Sequence, residues 1–152
     1  MNSSQTALLD QTSIGTIKVM SMVASMLMKK KILLVEDDLN TQKIVEFLLK
    51  DEYQVYKAGH GVEALQLLDK IPEIDLVITD MQMPIMNGLA LVHAMNNSLE
   101  KSQIPVMILS SDCHQELVNM GKYPNLVNSL LKPLEPSELY WKVEAALVLE
   151  YC

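Results

Sequence analysis

The sequence predicts an α/β fold: a doubly wound, five-stranded parallel sheet with helices on both faces. Three observations point there. From residue 31 onward, short apolar runs alternate with stretches of helical period. The runs are continuously apolar, as expected of strands buried on both faces. Acidic, hydroxyl and basic residues stand at or just after the ends of these runs, where open α/β sheets build their sites.

Taken in order, Ile32–Val35 is the first strand. Asn40–Lys50 follows as a helix, with Ile44, Phe47 and Leu48 at helical spacing. Tyr53–Lys57 is a short second strand, and Val62–Lys70 a helix that turns Ala64, Leu65 and Leu68 inward. Asp75–Thr79 is the third strand. Gly88–Asn97 is a helix with Leu91, Val92 and Met95 on its inner face. Ile104–Leu109 is the fourth strand, entered near Pro105. Cys113–Met120 reads as a short helix closed by Gly121, a good C-terminal cap. Leu126–Leu131 is the fifth strand. Pro136–Leu149 is the last helix, with Pro136 in its first turn and Leu139, Val143, Ala146 and Leu147 facing in. Right-handed crossovers turn this alternation into a doubly wound sheet. The flavodoxin-like strand order 2-1-3-4-5 is expected, because it sets strands one and three side by side and brings Glu36 and Asp37 next to Asp80.

The 152 residues are 49% hydrophobic and 20% charged, which fits one globular domain with a real core. That domain is read over residues 29–150. Residues 1–28 are read as an N-terminal extension that holds five of the eleven methionines and only Asp10 and Lys18 as charges. Either Met28 is the natural start or the preceding segment is mobile; the rival reading is an amphipathic docking helix. Ile14–Met28 is too short for a membrane helix, and Asp10 argues against a secretory signal. A net charge of -7 and the lack of arginine argue against direct nucleic-acid binding. Lys29-Lys30-Lys31 reads as a solvated strand entrance. Cys113 and Cys152 have neither metal nor disulfide spacing, so a reducing, cytoplasmic compartment is expected.

Asp80 opens Asp-Met-Gln-Met-Pro-Ile-Met-Asn-Gly directly after an apolar strand, and Glu36-Asp37-Asp38 follows another. Each feature alone has an ordinary reading: turn acids, helix caps and a loop lysine. Together they converge on one sheet edge. Carboxylates held around 4 Å apart repel by about 1 kcal/mol in water and about 4 at an effective dielectric near 20. Such a cluster raises a pKa or takes a cation. Asp37 and Asp80, with Glu36 beside them and the backbone carbonyl of Gln82, offer the hard oxygens that suit Mg²⁺. Asp80 is then a candidate nucleophile toward a phosphoryl group. Lys132 supplies a compact positive charge and Ser110 a hydroxyl donor. The stripe Met81, Met83, Met86 is read as packing, and His60, His93 and His114 are assigned no chemistry.

The runs Ile32-Leu33-Leu34-Val35-Glu36-Asp37-Asp38, Asp80 to Gly88, Pro105 to Ser111 and Leu131-Lys132-Pro133-Leu134 resemble the receiver domain of two-component response regulators, from about Lys29 to about Leu149. The resemblance implies phosphorylation at Asp80 by a histidine kinase phosphohistidine, an acidic pair at Glu36 and Asp37, a hydroxyl at Ser110 and a lysine at Lys132. It implies a cis bond at Lys132-Pro133, and it places Gln82 and Asp112 where the family tunes acyl-phosphate lifetime. One departure stands out: Ser129 occupies the position usually held by Tyr or Phe in the output switch. Readout is therefore expected to rest on Ser110 and the loop Ser111–His114.

The expected partners are a sensor histidine kinase or histidine phosphotransfer protein and a downstream protein target, with signalling by protein contact in the manner of single-domain chemotaxis receivers. The last helix and the Cys113–Met120 helix are the expected docking surface by family analogy. A phosphorelay intermediate, a receiver segment of a hybrid kinase and a binding-only receiver are the alternatives. A haloacid-dehalogenase-type phosphatase is disfavoured, because the position of its second acid is Gln82, which cannot shuttle a proton. The domain is thus expected to act as a phosphoacceptor rather than an enzyme.

Overall fold

The structure, a computed structural model, describes residues 3–112 and 121–148. A helix, α1 (Ser3–Leu27), precedes the first strand, and its residues from Gln11 to Ala24 are all exposed. The sheet domain then runs β1 (Lys31–Val35), α2 (Leu39–Leu49), β2 (Gln54–Ala58), α3 (Gly61–Lys70), β3 (Leu76–Asp80), α4 (Gly88–Asn96), a 3-10 turn over Lys101–Gln103, β4 (Val106–Ser110), β5 (Leu126–Leu131) and α5 (Pro136–Val148). The helix expected over Cys113–Met120 lies outside the described residues.

All five strands are parallel, in the order β2-β1-β3-β4-β5. This is the expected flavodoxin-like arrangement, and it fixes which strand ends meet. Val35 stands opposite Thr79, Asp80 opposite Leu109, and Ser110 opposite Leu131. The residues that follow β1, β3, β4 and β5 are therefore delivered to one edge.

The sheet is held by two apolar layers, because successive strand residues point to opposite faces. Ile32 and Leu34 pack with Val45 and Leu49 of α2 and with Leu139, Val143, Ala146 and Leu147 of α5. Leu33 and Val35 pack with Ala64 of α3 and with Leu91, Val92 and Met95 of α4. The inner faces expected for the third, fourth and last of these helices hold. That of α2 does not: Ile44 and Phe47 are 55% and 68% exposed, and Val45 and Leu49 are buried in their place. Apolar residues at 44, 45, 47, 48 and 49 span two adjacent stripes, so the helical period alone leaves the rotation open. The Asp38 cap and the docking on β1 select the stripe holding Val45 and Leu49. Leu48 packs at the margin of the core, and Lys50 covers Phe47 with its ammonium 5.1 Å from the ring centre.

Local chemistry sets the helix starts at the functional edge. Asp38 caps α2 by accepting from the Thr41 hydroxyl (2.6 Å) and N–H (2.8 Å). Asn87 caps α4 by accepting from Ala90 N–H at 2.8 Å. His60 Nδ1 caps α3 at the Glu63 N–H, and Glu63 reaches back to Gly59 N–H at 2.7 Å. At Gly88 a Cβ would sit 2.4 Å from the Asp80 carbonyl oxygen. Only glycine lets α4 come this close to the end of β3, where Gly88 N–H donates to the Met81 carbonyl at 3.0 Å.

Gly88→Ala should cost about 1–3 kcal/mol, as overpacking does, and shift the Asp80 backbone; a urea midpoint equal to wild type would disprove the contact. The bonds from the Thr41 hydroxyl and then its N–H hold the Asp38 carboxyl below its ordinary 3.8. Its cap contribution is therefore present above that value and lost as pH falls through the depressed native one. The stability difference between wild type and Asp38→Ala, followed by urea unfolding, should stay constant down to about pH 4 and shrink below it.

Candidate functional site

The C-terminal edge of β1 carries Glu36 into the interior, where it is 1% exposed. Its main-chain N–H extends the β1–β2 ladder to Ala58. One carboxylate oxygen accepts from Asp38 N–H at 3.0 Å, and the other accepts from the Lys132 ammonium at 3.0 Å. Asp80, last residue of β3 and 7% exposed, lies 3.3 Å from the same ammonium. Asp37 is exposed, and ligand oxygens of Glu36, Asp37 and Asp80 all lie within 4.8 Å of one another. Four of the expected site residues thus converge.

Lys132 reaches this cluster because β5 ends beside β4. Its N–H donates to the Ser110 carbonyl at 2.8 Å, and the following Lys132–Pro133 bond is cis. Ser110 is buried on the same edge, one residue beyond the β4 partner of Asp80. Its hydroxyl donates to the Asp112 carbonyl and accepts from the Asp112 N–H, each at 3.0 Å. Gln82 is exposed in the loop after Asp80, and with Asp37, Met83, Pro84 and Asn87 it lines an open cleft of about 470 Å³.

Two carboxylates face the Lys132 ammonium, and a third, Asp37, stands beside them. Burial pushes the Glu36 carboxyl above its ordinary 4.5; the Asp38 and Lys132 bonds oppose the rise, and the charge of Asp80 adds to it. Burial alone would lower Lys132, but the bond to Glu36 and the charges of Glu36 and Asp80 outweigh it and hold it above 10.5. The lysine therefore stays charged while the acids remain undercompensated.

Several features of the site carry no sequence signal. Nothing in the chain shows that both Glu36 oxygens are taken, or that the Ser110 hydroxyl closes on Asp112. The loop after Asp80 turns sharply at Ile85, which has φ of 70° and is spanned by a Met86 N–H to Pro84 carbonyl bond of 2.7 Å. An exposed β-branched residue in this region is strained. Gly61 accepts the Met86 side chain, at a place where a Cβ would lie 2.5 Å from Met86 Cγ. Met81 is buried and Met83 and Met86 pack on the core, in keeping with the packing role read for them. Ser129, in place of the usual aromatic, is half-buried in β5 and its carbonyl accepts from Lys142 at 2.6 Å. Ser111 and Asp112 begin the loop expected to serve readout; Cys113 and His114 lie outside the described residues.

The charge imbalance predicts that Asp80→Asn stabilises the metal-free protein by about 1 kcal/mol, the size of one carboxylate repulsion at around 4 Å in water. Urea unfolding in chelator measures it, and a lower midpoint for the variant would mean that the Lys132–Asp80 attraction dominates.

The geometry agrees with comparisons to known proteins. The family profile described as the response regulator receiver domain matches residues 32–144. The chain is 36% identical over 113 residues to the sensor histidine kinase TmoS of Ectopseudomonas mendocina; the match covers 74% of this chain but only 12% of that kinase. It is 31% identical to the chemotaxis protein CheY1 of Helicobacter pylori over 77% of this chain and 96% of that protein. The structure of the chemotaxis protein CheY4 of Vibrio cholerae superposes with a TM-score of 0.72 at 29% identity, covering 79% of this chain and all of that one. Residue pattern, strand order and acidic edge coincide, and the chain belongs to the response regulator receiver domain family of two-component signalling.

Proposed function

We propose that this chain is a phosphoacceptor switch in a two-component phosphorelay. Asp80 takes a phosphoryl group from the phosphohistidine of a sensor histidine kinase or histidine phosphotransfer protein, and the phosphorylated form signals by contact with a downstream protein. The observation that carries this reading is the Lys132 ammonium held between Glu36 and Asp80 in a cluster of three acids.

In the proposed reaction a carboxylate oxygen of Asp80 attacks phosphorus. The P–N bond to the donor imidazole breaks, its electron pair stays on the ring nitrogen, and an acyl phosphate remains on Asp80. Lys132 neutralises charge on the transferred group, at a point already 3.3 Å from Asp80. Glu36 holds that ammonium in place through its 3.0 Å bond. The Ser110 hydroxyl stands on the same edge to donate to a phosphoryl oxygen, once turned away from Asp112.

Mg²⁺ fits the donor set, since all the candidate ligands are hard oxygens and the acids exceed the ammonium in charge. Asp37, Asp80 and the Gln82 carbonyl would hold it, with Glu36 adding charge beside them. When bound, it would neutralise the equatorial oxygens of the transferring group.

The likeness to a kinase of which the chain matches 12% favours a second reading. The same phosphoacceptor would then serve as a receiver segment or relay intermediate of a hybrid kinase system. The Asp80 chemistry is common to both.

Intact-mass analysis after incubation with acetyl phosphate and Mg²⁺ tests the proposal. Wild type should gain one phosphoryl group and Asp80→Asn none. An unlabelled wild type would favour a binding-only receiver, and a labelled Asp80→Asn would remove Asp80 from the role.

A further inference from the structure

We infer that α1 is a self-association element, through which a second copy of this chain pairs with the first. The helix has 25 residues and a length of about 37 Å. Its composition does not favour an isolated helix: Gly15 and the β-branched Thr12, Ile14, Thr16, Ile17 and Val19 are all poor helix formers. Helices of this kind draw most of their stability from packing. Yet the sheet domain covers none of the described residues from Gln11 to Ala24. Ile14 is 65% exposed, Met20 66% and Leu27 76%.

The spacing of the exposed residues suits a partner helix. Thr16, Met20, Val23 and Leu27 follow one another in steps of four, three and four, the alternation that forms a coiled-coil seam. Thr16 satisfies its own hydroxyl on the Thr12 carbonyl at 2.9 Å, so it makes no polar demand within that seam. Ile14, Ile17, Ser21 and Ala24 make a second seam, whose small residues allow close approach.

Area and charge favour a second copy as the occupant. Eight large apolar side chains from Ile14 to Met28 are between 47% and 76% exposed. At on the order of 100 Å² apiece, they expose roughly 800 Å² per copy, so a pair that covers about two thirds of it on each side reaches the ~1,000 Å² that marks a specific interface. Lys18 is the one charged residue between Gln11 and Met28, so two such surfaces meet with little repulsion. The net charge of -7 opposes docking on an anionic lipid surface, and among the described residues no helix is long and apolar enough to cross a membrane.

Pairing through α1 leaves the phosphoacceptor edge free. The helix joins β1 at its N-terminal end, and Asp80 lies at the opposite edge of the sheet, about 16 Å away along a five-residue strand. Association is therefore independent of the state of Asp80.

Sedimentation velocity on the full chain across the micromolar range is the test. Wild type and Asp80→Asn should both run as a dimer or larger assembly, which separates this inference from the phosphoacceptor reading. Met20→Glu with Val23→Glu should run as a monomer and lose helical circular dichroism while keeping the sheet domain's unfolding transition. Should that pair disturb folding, Ile17→Glu with Ala24→Glu serves the same purpose on the second seam. Phe47→Glu, on the exposed face of α2, should associate like wild type. A monomeric wild type would overturn the inference. So would association that survives both charge pairs, loss of association in Phe47→Glu, or a monomer that instead binds phosphatidylserine vesicles.

Discussion

The arrangement of the site depends on one ammonium group held between two carboxylates, with a third beside them. Lys132 touches Glu36 and Asp80 at once, and it does so because β5 ends beside β4 and β3 lies next to β1. Strand order is thus an electrostatic matter as well as a topological one. An order that carried β5 away from β1 and β3 would leave Glu36 buried without a counter-charge, at a cost of several kcal/mol. The parallel sheet gives Glu36 a partner far along the chain, and that partner holds it at the strand end.

The acids divide their tasks by burial. Asp38, at the helix start, is exposed and spends its carboxylate on the α2 cap. Asp37 is exposed and uncommitted to a cap, which leaves its oxygens turned to the cleft that Gln82 also lines. Glu36 is buried and occupied on both oxygens. Three consecutive acids therefore stand in three different settings: a fixed anchor for the lysine, an open carboxylate on the cleft and a structural cap. Neutralising one would not substitute for neutralising another.

Much of this was legible in the chain. Continuous apolar runs at Ile32–Val35 and Leu76–Thr79 revealed strands buried on both faces; the strand order, which sequence alone does not prove, was expected as the one that sets strands one and three side by side, as the structure has them. The inner residues of α4 and α5 followed from helical spacing, although α5 also carries Trp141 and Val148 exposed on its outer side. The rotation of α2 did not, because two stripes compete there and the docking surface decides between them. The turn at Ile85 was hidden for a different reason: its left-handed backbone runs against the preference of the residue that adopts it. The closure of Ser110 on Asp112 depends on a loop path, which no residue pattern encodes.

The approach of Gly88 to the Asp80 carbonyl has a mechanical consequence. Most helices rest on a sheet through side chains, whose rotamers can absorb small displacements. Here the N-terminus of α4 bears directly on the main chain of β3, with no side chain between as a cushion. A displacement of the strand end would therefore press on the first turn of α4 directly, with main chain against main chain.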